Sequence, residues 1–278
     1  MDPSKDKTYI FMKNLARKNY KLESFERVKD GKFVEDNEEL TKVGEEIINN
    51  FIGNKSLKIN FFADICAAPG NYSKIILDKF DVVTGIGISL PPEEGGVEFE
   101  LTDKKYKTLY KNILDKKYRL EIPEKLDLGM ASCVSYQNDA KLANKLNIEL
   151  IVKSVYLLLP NFKSGSNLIV NLTMKNINLA FNLVNIMRKY FKVTKLWKSH
   201  TVWGTKNTFY FFGYDFIENK NVAEEINALY EKIKDDNNDI YNNFLGSSDD
   251  YNNVNRMMKN VYQVRIDAIK TLVESSKK

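Results

Sequence analysis

The sequence predicts an α/β fold in which a mainly parallel sheet is covered by helices on both faces, and three observations lead there. Residues 57–65 form a short apolar run rich in Ile and Phe, and residues 72–80 repeat their apolar side chains at helical spacing. A second apolar run at 82–90 (VVTGIGISL) completes a strand–helix–strand unit. Strands and amphipathic helices then alternate to about residue 216, where two strands close in a hairpin, the pattern of a parallel sheet covered on both faces.

In chain order, residues 9–28 read as a helix with a loose apolar face. Residues 38–52 form a second helix, with Leu40, Val43, Ile47, Ile48 and Phe51 at the helical period. After the first βαβ unit, Pro91-Pro92 and Gly95-Gly96 break the chain. A short strand is expected at 99–101, leading into a helix rich in Lys and Tyr that ends near Pro123. A strand follows at 126–131, a long helix at 141–159, a central strand at 167–173 and an amphipathic helix at 177–191. Strands at 193–202 and 208–216, joined by the Trp203–Asn207 loop, bring the sheet to seven. From about 219 the chain turns acidic and Asn-rich. Asp235–Asp239 and Ser247–Asp250 read as solvated loops between two C-terminal helices, the last over 251–273, a packing appendage or a docking element. The implied division is an N-terminal helical segment 1–56, a catalytic-type domain 57–216 and a C-terminal helical extension 217–278.

At 278 residues and 43% hydrophobic content the chain is long enough to bury a large core. It has no apolar run long enough to span a bilayer and no apolar leader at its start, so no membrane association and an intracellular, cytoplasmic location are expected. The two cysteines, Cys66 and Cys133, read as small core-lining residues rather than a disulfide framework, and no metal site is expected. A net charge of +5 suits a phosphate-bearing partner without requiring one.

The turn between the first strand and its helix carries the chemistry. Ala67, Ala68, Pro69 and Gly70 let a ligand approach the backbone, and the following helix offers unpaired N–H groups to a carboxylate or phosphate. The stretch Asp64-x-Cys66-Ala67-Ala68-Pro69-Gly70-x-x-Ser73 resembles the donor loop of FtsJ-like (RrmJ-type) and cap-specific RNA 2'-O-ribose methyltransferases, with Asn71 where a second glycine is usual. Ala16 to Leu22 (ARKNYKL) is similar to the segment that precedes that loop, and GIGISL at 85–90 to a strand of cap methyltransferases. The resemblance spans about residues 10–216.

The resemblance implies a Rossmann-like, S-adenosylmethionine-dependent methyltransferase fold. It implies donor contacts from Asp64, Ala67, Ala68, Pro69, Gly70, Asn71, Tyr72, Ser73 and Ser132, with Glu100 near the adenosine. The family activates a ribose hydroxyl, a poor nucleophile, with a Lys-Asp-Lys-Glu constellation. Carried onto this chain, those positions are Lys21, Ser132, Asn171 and Thr208, so one charged group of four remains. Neutral Ser, Asn and Thr can satisfy one another by ordinary hydrogen bonds, but none supplies an activating base. The expectation is a degenerate homologue that binds S-adenosylmethionine and acts as an RNA-binding or accessory component of RNA modification or capping, beside another capping or methyltransferase subunit. The noncatalytic small subunit of poxvirus capping enzymes is a parallel. Two alternatives stay open. One is an active RNA 2'-O-methyltransferase with an unorthodox base drawn from Lys175, Asp139, Asp127 or His200; the other is an interaction protein that has lost the donor site. For RNA, capped or not, Lys13, Arg17 and Lys18 offer an N-terminal basic face. Lys198, Trp203 and Lys206, with Trp197 nearby, offer a second surface at the closing hairpin.

Overall fold

The computed structural model describes residues 2–19, 28–29, 32–33, 37–134, 140–219, 221–234 and 242–277. Seven strands make the sheet: β1 (Phe61–Ile65), β2 (Thr84–Ser89), β3 (Tyr106–Tyr110), β4 (Leu126–Ala131), β5 (Phe162–Thr173), β6 (Phe191–Trp197) and β7 (Thr208–Phe216). Their order is β3-β2-β1-β4-β5-β7-β6. Strands β1 to β5 pair in parallel, and β7 runs antiparallel between β5 and β6. The direction of winding reverses between β1 and β4. An open α/β sheet leaves a crevice there, at the carboxyl ends of its strands.

Among the described residues seven α-helices accompany the sheet: α1 (Lys7–Lys18), α2 (Asn37–Ile52), α3 (Asn71–Lys79), α4 (Ala140–Leu158), α5 (Ile177–Met187), α6 (Val222–Lys234) and α7 (Ser248–Ser275). Alternating strand side chains divide between two cores, as a sheet buried on both faces requires. Phe62, Leu128, Ile169, Tyr210 and Phe212 pack with Val43, Ile47, Ile48 and Phe51 of α2 and Ile75 and Ile76 of α3. Phe61, Ala63, Leu168, Val170, Phe209 and Phe211 face the other way, against α1, α4, α5, α6 and α7.

The sequence expectation fails at four places. The third strand is Tyr106–Tyr110, inside the stretch read as a Lys- and Tyr-rich helix, and no strand forms at 99–101. It is an edge strand paired only with β2, and of its five side chains only Tyr106 is buried, so it lacks the apolar run that marks a central strand. Helix α1 ends at Lys18, and Val28, expected at the end of that helix, pairs with Phe33 in a two-residue ladder. Ser247 to Asp250, read as a loop, start α7. The Ser247 hydroxyl takes the Asp250 N–H while the Asp250 carboxylate takes the Ser247 N–H, a reciprocal cap. The two cysteines form a disulfide with Cα atoms 5.0 Å apart, because the ends of neighbouring β1 and β4 place them side by side. The Asp235–Asp239 segment lies outside the described residues.

Candidate active site

A cavity of about 440 Å³ runs along the carboxyl ends of β1 to β5. Its floor is the turn after β1, which is tied to the neighbouring strand: the N–H groups of Cys66 and Ala67 both donate to the Ile88 carbonyl, at 2.7 and 3.1 Å. Gly70 then enters α3 with φ of 114°, and a Cβ there would sit 2.6 Å from that of Leu101. Only glycine meets both demands. No side chain caps α3, whose start faces the cavity through Asn71 and Tyr72.

Asp64 ends a chain of buried polar groups. Ser73 Oγ donates to Asp64 Oδ2 at 2.7 Å and lies 2.7 Å from the Tyr106 hydroxyl. Burial pushes the Asp64 carboxyl up to about 7, against the pull of the Ser73 bond. Burial, then the charge of Asp64, holds the Tyr106 phenol protonated. Asp64 lines the cavity, and its Oδ1 is buried with no hydrogen-bond partner among the described residues. Such an atom calls for a donor from a ligand, best a cationic one.

Around this floor, Ala67, Ala68, Pro69, Asn71, Tyr72 and Ser132 of the expected donor residues line the cavity. Gly70 and Ser73 shape it from behind. Glu100 does not line it; its backbone N–H is spent on the Pro69 carbonyl at 2.9 Å. The acid on the wall is instead Glu94, which accepts from Asn112 Nδ2 at 3.0 Å. Glu94, Lys111 and Asn112 were not singled out in the sequence; the last two follow a strand that was read as helix, and Glu94 lies in the turn after β2. The Ile88, Leu90 and Ile113 side chains complete an apolar wall.

The positions of the expected catalytic constellation separate. Ser132, at the end of β4, and Asn171, in β5, both line the cavity, and Ser132 Oγ is buried without a partner among the described residues. Thr208 pairs with Thr173 at the start of β7 and is not on the wall. Lys21 and Asp139 lie outside the described residues. Lys175 is exposed in the turn after β5, where the strand has ended, so it does not continue the Asn171 face. Asp127 sits at the opposite end of β4, bound to the N–H groups of Asn60 and Phe61 and to Lys163. His200 is exposed, with its backbone N–H on Glu46.

The expected RNA-binding side chains also divide. Lys13, Arg17 and Lys18 are exposed on α1, Lys206 is half-buried, and Trp203 is half-buried on the cavity wall. Lys198 is not a surface cation. It is 1% exposed, and its ammonium donates to the carbonyls of Trp203, Lys206 and Thr208 at 2.8, 2.8 and 2.9 Å. Trp197 is a core residue stacked on Phe212.

The residues that build this sheet and its cavity fall within the match of a family model, that of FtsJ-like methyltransferases, over residues 40–216. The chain belongs to the FtsJ-like methyltransferase family. Among curated proteins no sequence match is found. Among solved structures, this FtsJ-like chain is similar to a Plasmodium falciparum protein assigned as a ribosomal RNA methyltransferase (15% identity, 64% of this chain and 97% of that one, TM-score 0.47). It is also similar to a fibrillarin/Nop5p complex (15%, 69% and 89%, 0.43). A third is the N-methyltransferase NodS of Bradyrhizobium japonicum bound to S-adenosyl-L-homocysteine (12%, 77% and 100%, 0.41). Among the described residues no helix is long and apolar enough to cross a membrane, and no group of three or more His, Cys, Asp or Glu side chains is placed to hold a metal.

Proposed function

We propose that this FtsJ-like chain binds S-adenosylmethionine in the cavity at the β1–β4 crevice, does not itself activate a ribose hydroxyl, and serves RNA modification or capping as an RNA-binding accessory component. The donor residues fit the group. The unpartnered Asp64 oxygen suits the ammonium of an amino-acid moiety, and the apolar wall of Ile88, Leu90 and Ile113 suits a purine. The volume lies within the range of small-molecule sites. When bound, S-adenosylmethionine would supply an electrophilic methyl group; this chain's part is to hold it and shield it from water.

The observation that carries the reading is the chemistry of the wall at β4 and β5. Ser132 and Asn171 stand there, while the charged side chains that line the cavity among the described residues are Asp64, Glu94 and Lys111, all delivered by β1, β2 and β3 and the turns after them. Neither amide nor hydroxyl takes a proton at neutral pH, so among the described residues no group lining the β4–β5 side of the cavity replaces a lysine and an aspartate. Titration calorimetry with S-adenosylmethionine and S-adenosylhomocysteine, followed by tritiated methyl transfer to capped and uncapped RNA, tests this. Binding of both ligands without methyl transfer is expected. Transfer that Asn171→Ala or Lys175→Ala abolishes would establish an active enzyme instead, and failure to bind either ligand would leave only a scaffold.

A further inference from the structure

The connection between β6 and β7 is held more firmly than a surface loop requires, and the residue it fixes faces the cavity. Three carbonyls close on the buried Lys198 ammonium. Ser199 Oγ donates to Glu46 of α2 at 2.6 Å and receives the Trp203 N–H at 3.1 Å, and the His200 N–H and Thr201 hydroxyl also bond Glu46. From the far side, the guanidinium of Arg265 holds the Thr205 carbonyl and the Asn207 side chain at 2.8 and 2.7 Å. The indole N–H of Trp203 donates to Glu39 of α2 at 2.6 Å. With its only polar atom and its backbone both engaged, the ring offers a ligand nothing but its π face, in one orientation.

Trp203 lines the cavity with Leu40, Tyr72 and Asn171. We propose that the Trp203, Leu40 and Tyr72 side chains form a stacking platform for one nucleobase of an RNA strand entering beside Asn171. The proposal rests on RNA being the partner and adds where a base is held. A flat aromatic group is the occupant that a fixed indole face selects, and stacking of this kind is tolerant of base identity. Tyr9 of α1 donates to the Met174 carbonyl just after β5, and the exposed Lys13, Arg17 and Lys18 of that helix lie on the opposite face of the sheet from Trp203. Rigid placement matters because a ring already ordered loses little entropy on binding.

The two tryptophans make the test direct, since Trp197 is 4% exposed in the core and Trp203 is the one a ligand can reach. A short single-stranded oligouridylate is titrated into the full-length protein saturated with S-adenosylhomocysteine, and fluorescence is recorded. The expected result is quenching that Trp203→Phe alters while Trp197 emission persists. Trp203→Ala should weaken oligonucleotide binding about tenfold or more, the loss of one stacked base, and Trp203→Phe should retain most of it. Both variants should still bind S-adenosylhomocysteine, which reports that they are folded. RNA bound without quenching, or equally tightly by Trp203→Ala, would overturn the platform while leaving RNA as partner. No RNA binding by the wild type would remove the functional reading and the platform together. Loss of S-adenosylhomocysteine binding by both variants would assign Trp203 a structural role and also overturn the proposal.

Discussion

Two residues with ordinary positions in the sequence have unusual duties in the fold. Lys198 follows a run of surface lysines in β6 and reads as one more of them, yet its ammonium is the hub of the β6–β7 loop. Nothing in one dimension distinguishes a lysine that points to phosphate from one that turns inward to three carbonyls. Asp64 was legible as part of the donor loop, but its ionisation was not, since burial sets it. The sign of its effect follows from linkage. Its folded carboxyl is raised to about 7 from the ordinary value of 3.8, so the folded protein takes up a proton between these values that the unfolded chain does not. The carboxylate therefore costs stability above pH 7, and the cost disappears as pH falls toward 4. Asp64→Asn should make the ligand-free protein more stable than wild type at pH 8 by up to about 4 kcal/mol, with the gap narrowing steadily toward pH 5. Urea unfolding at a series of pH values measures this, and parallel curves for the two proteins would refute the assignment.

Among elements, the strands buried on both sides were readable and the edge strand β3 was not, although the other edge strand, β6, was read as a strand. β1, β2, β4, β5 and β7 announce themselves because a central strand covered on both faces is apolar on both. β3 lies at the edge with most of its side chains in water, and Tyr-Lys-Thr-Leu-Tyr has no periodicity strong enough to outvote a helix. The register between β1 and β4 had a consequence that sequence could not disclose. It sets Ile65 against Ala131, so the residues just beyond, Cys66 and Cys133, meet and close a covalent loop 67 residues long. The linkage ties the donor turn to the segment that carries Ser132. A cross-link of that span restricts the unfolded chain by an amount worth on the order of 4 kcal/mol, reduced by whatever order the reduced chain retains. Cys133→Ser should thus lower the stability measured in urea without reductant by about 2–4 kcal/mol, and reductant should lower the wild type to match. A wild type indifferent to reductant would mean that the bond contributes nothing.

For the molecule as a whole, the strand order and the position of the crevice follow from topology, so the class of fold could be read once the first βαβ unit was recognised. The standing of the ends could not. Residues beyond 216 differ in composition from the sheet domain and look like an extension, yet α7 lies in the same core as β5 and β7, packed on α1 and α5. It buries Val254, Met258, Val261, Tyr262, Val264, Ile266 and Ile269. At roughly 1.5–3 kcal/mol for each large apolar side chain removed from water, these seven contribute on the order of 10–20 kcal/mol. That equals or exceeds the net stability of a typical domain, about 5–15 kcal/mol. The same helix sends Arg265, itself 4% exposed, to the β6–β7 loop that presents Trp203. A chain ending at Gly246 should therefore lose its cooperative thermal transition and bind a hydrophobic dye while keeping much of its far-ultraviolet helical signal, the behaviour of a collapsed chain without fixed packing. A sharp transition in that truncated chain would show that the sheet stands without α7, and the helix would then have to be explained by what it docks rather than by what it covers.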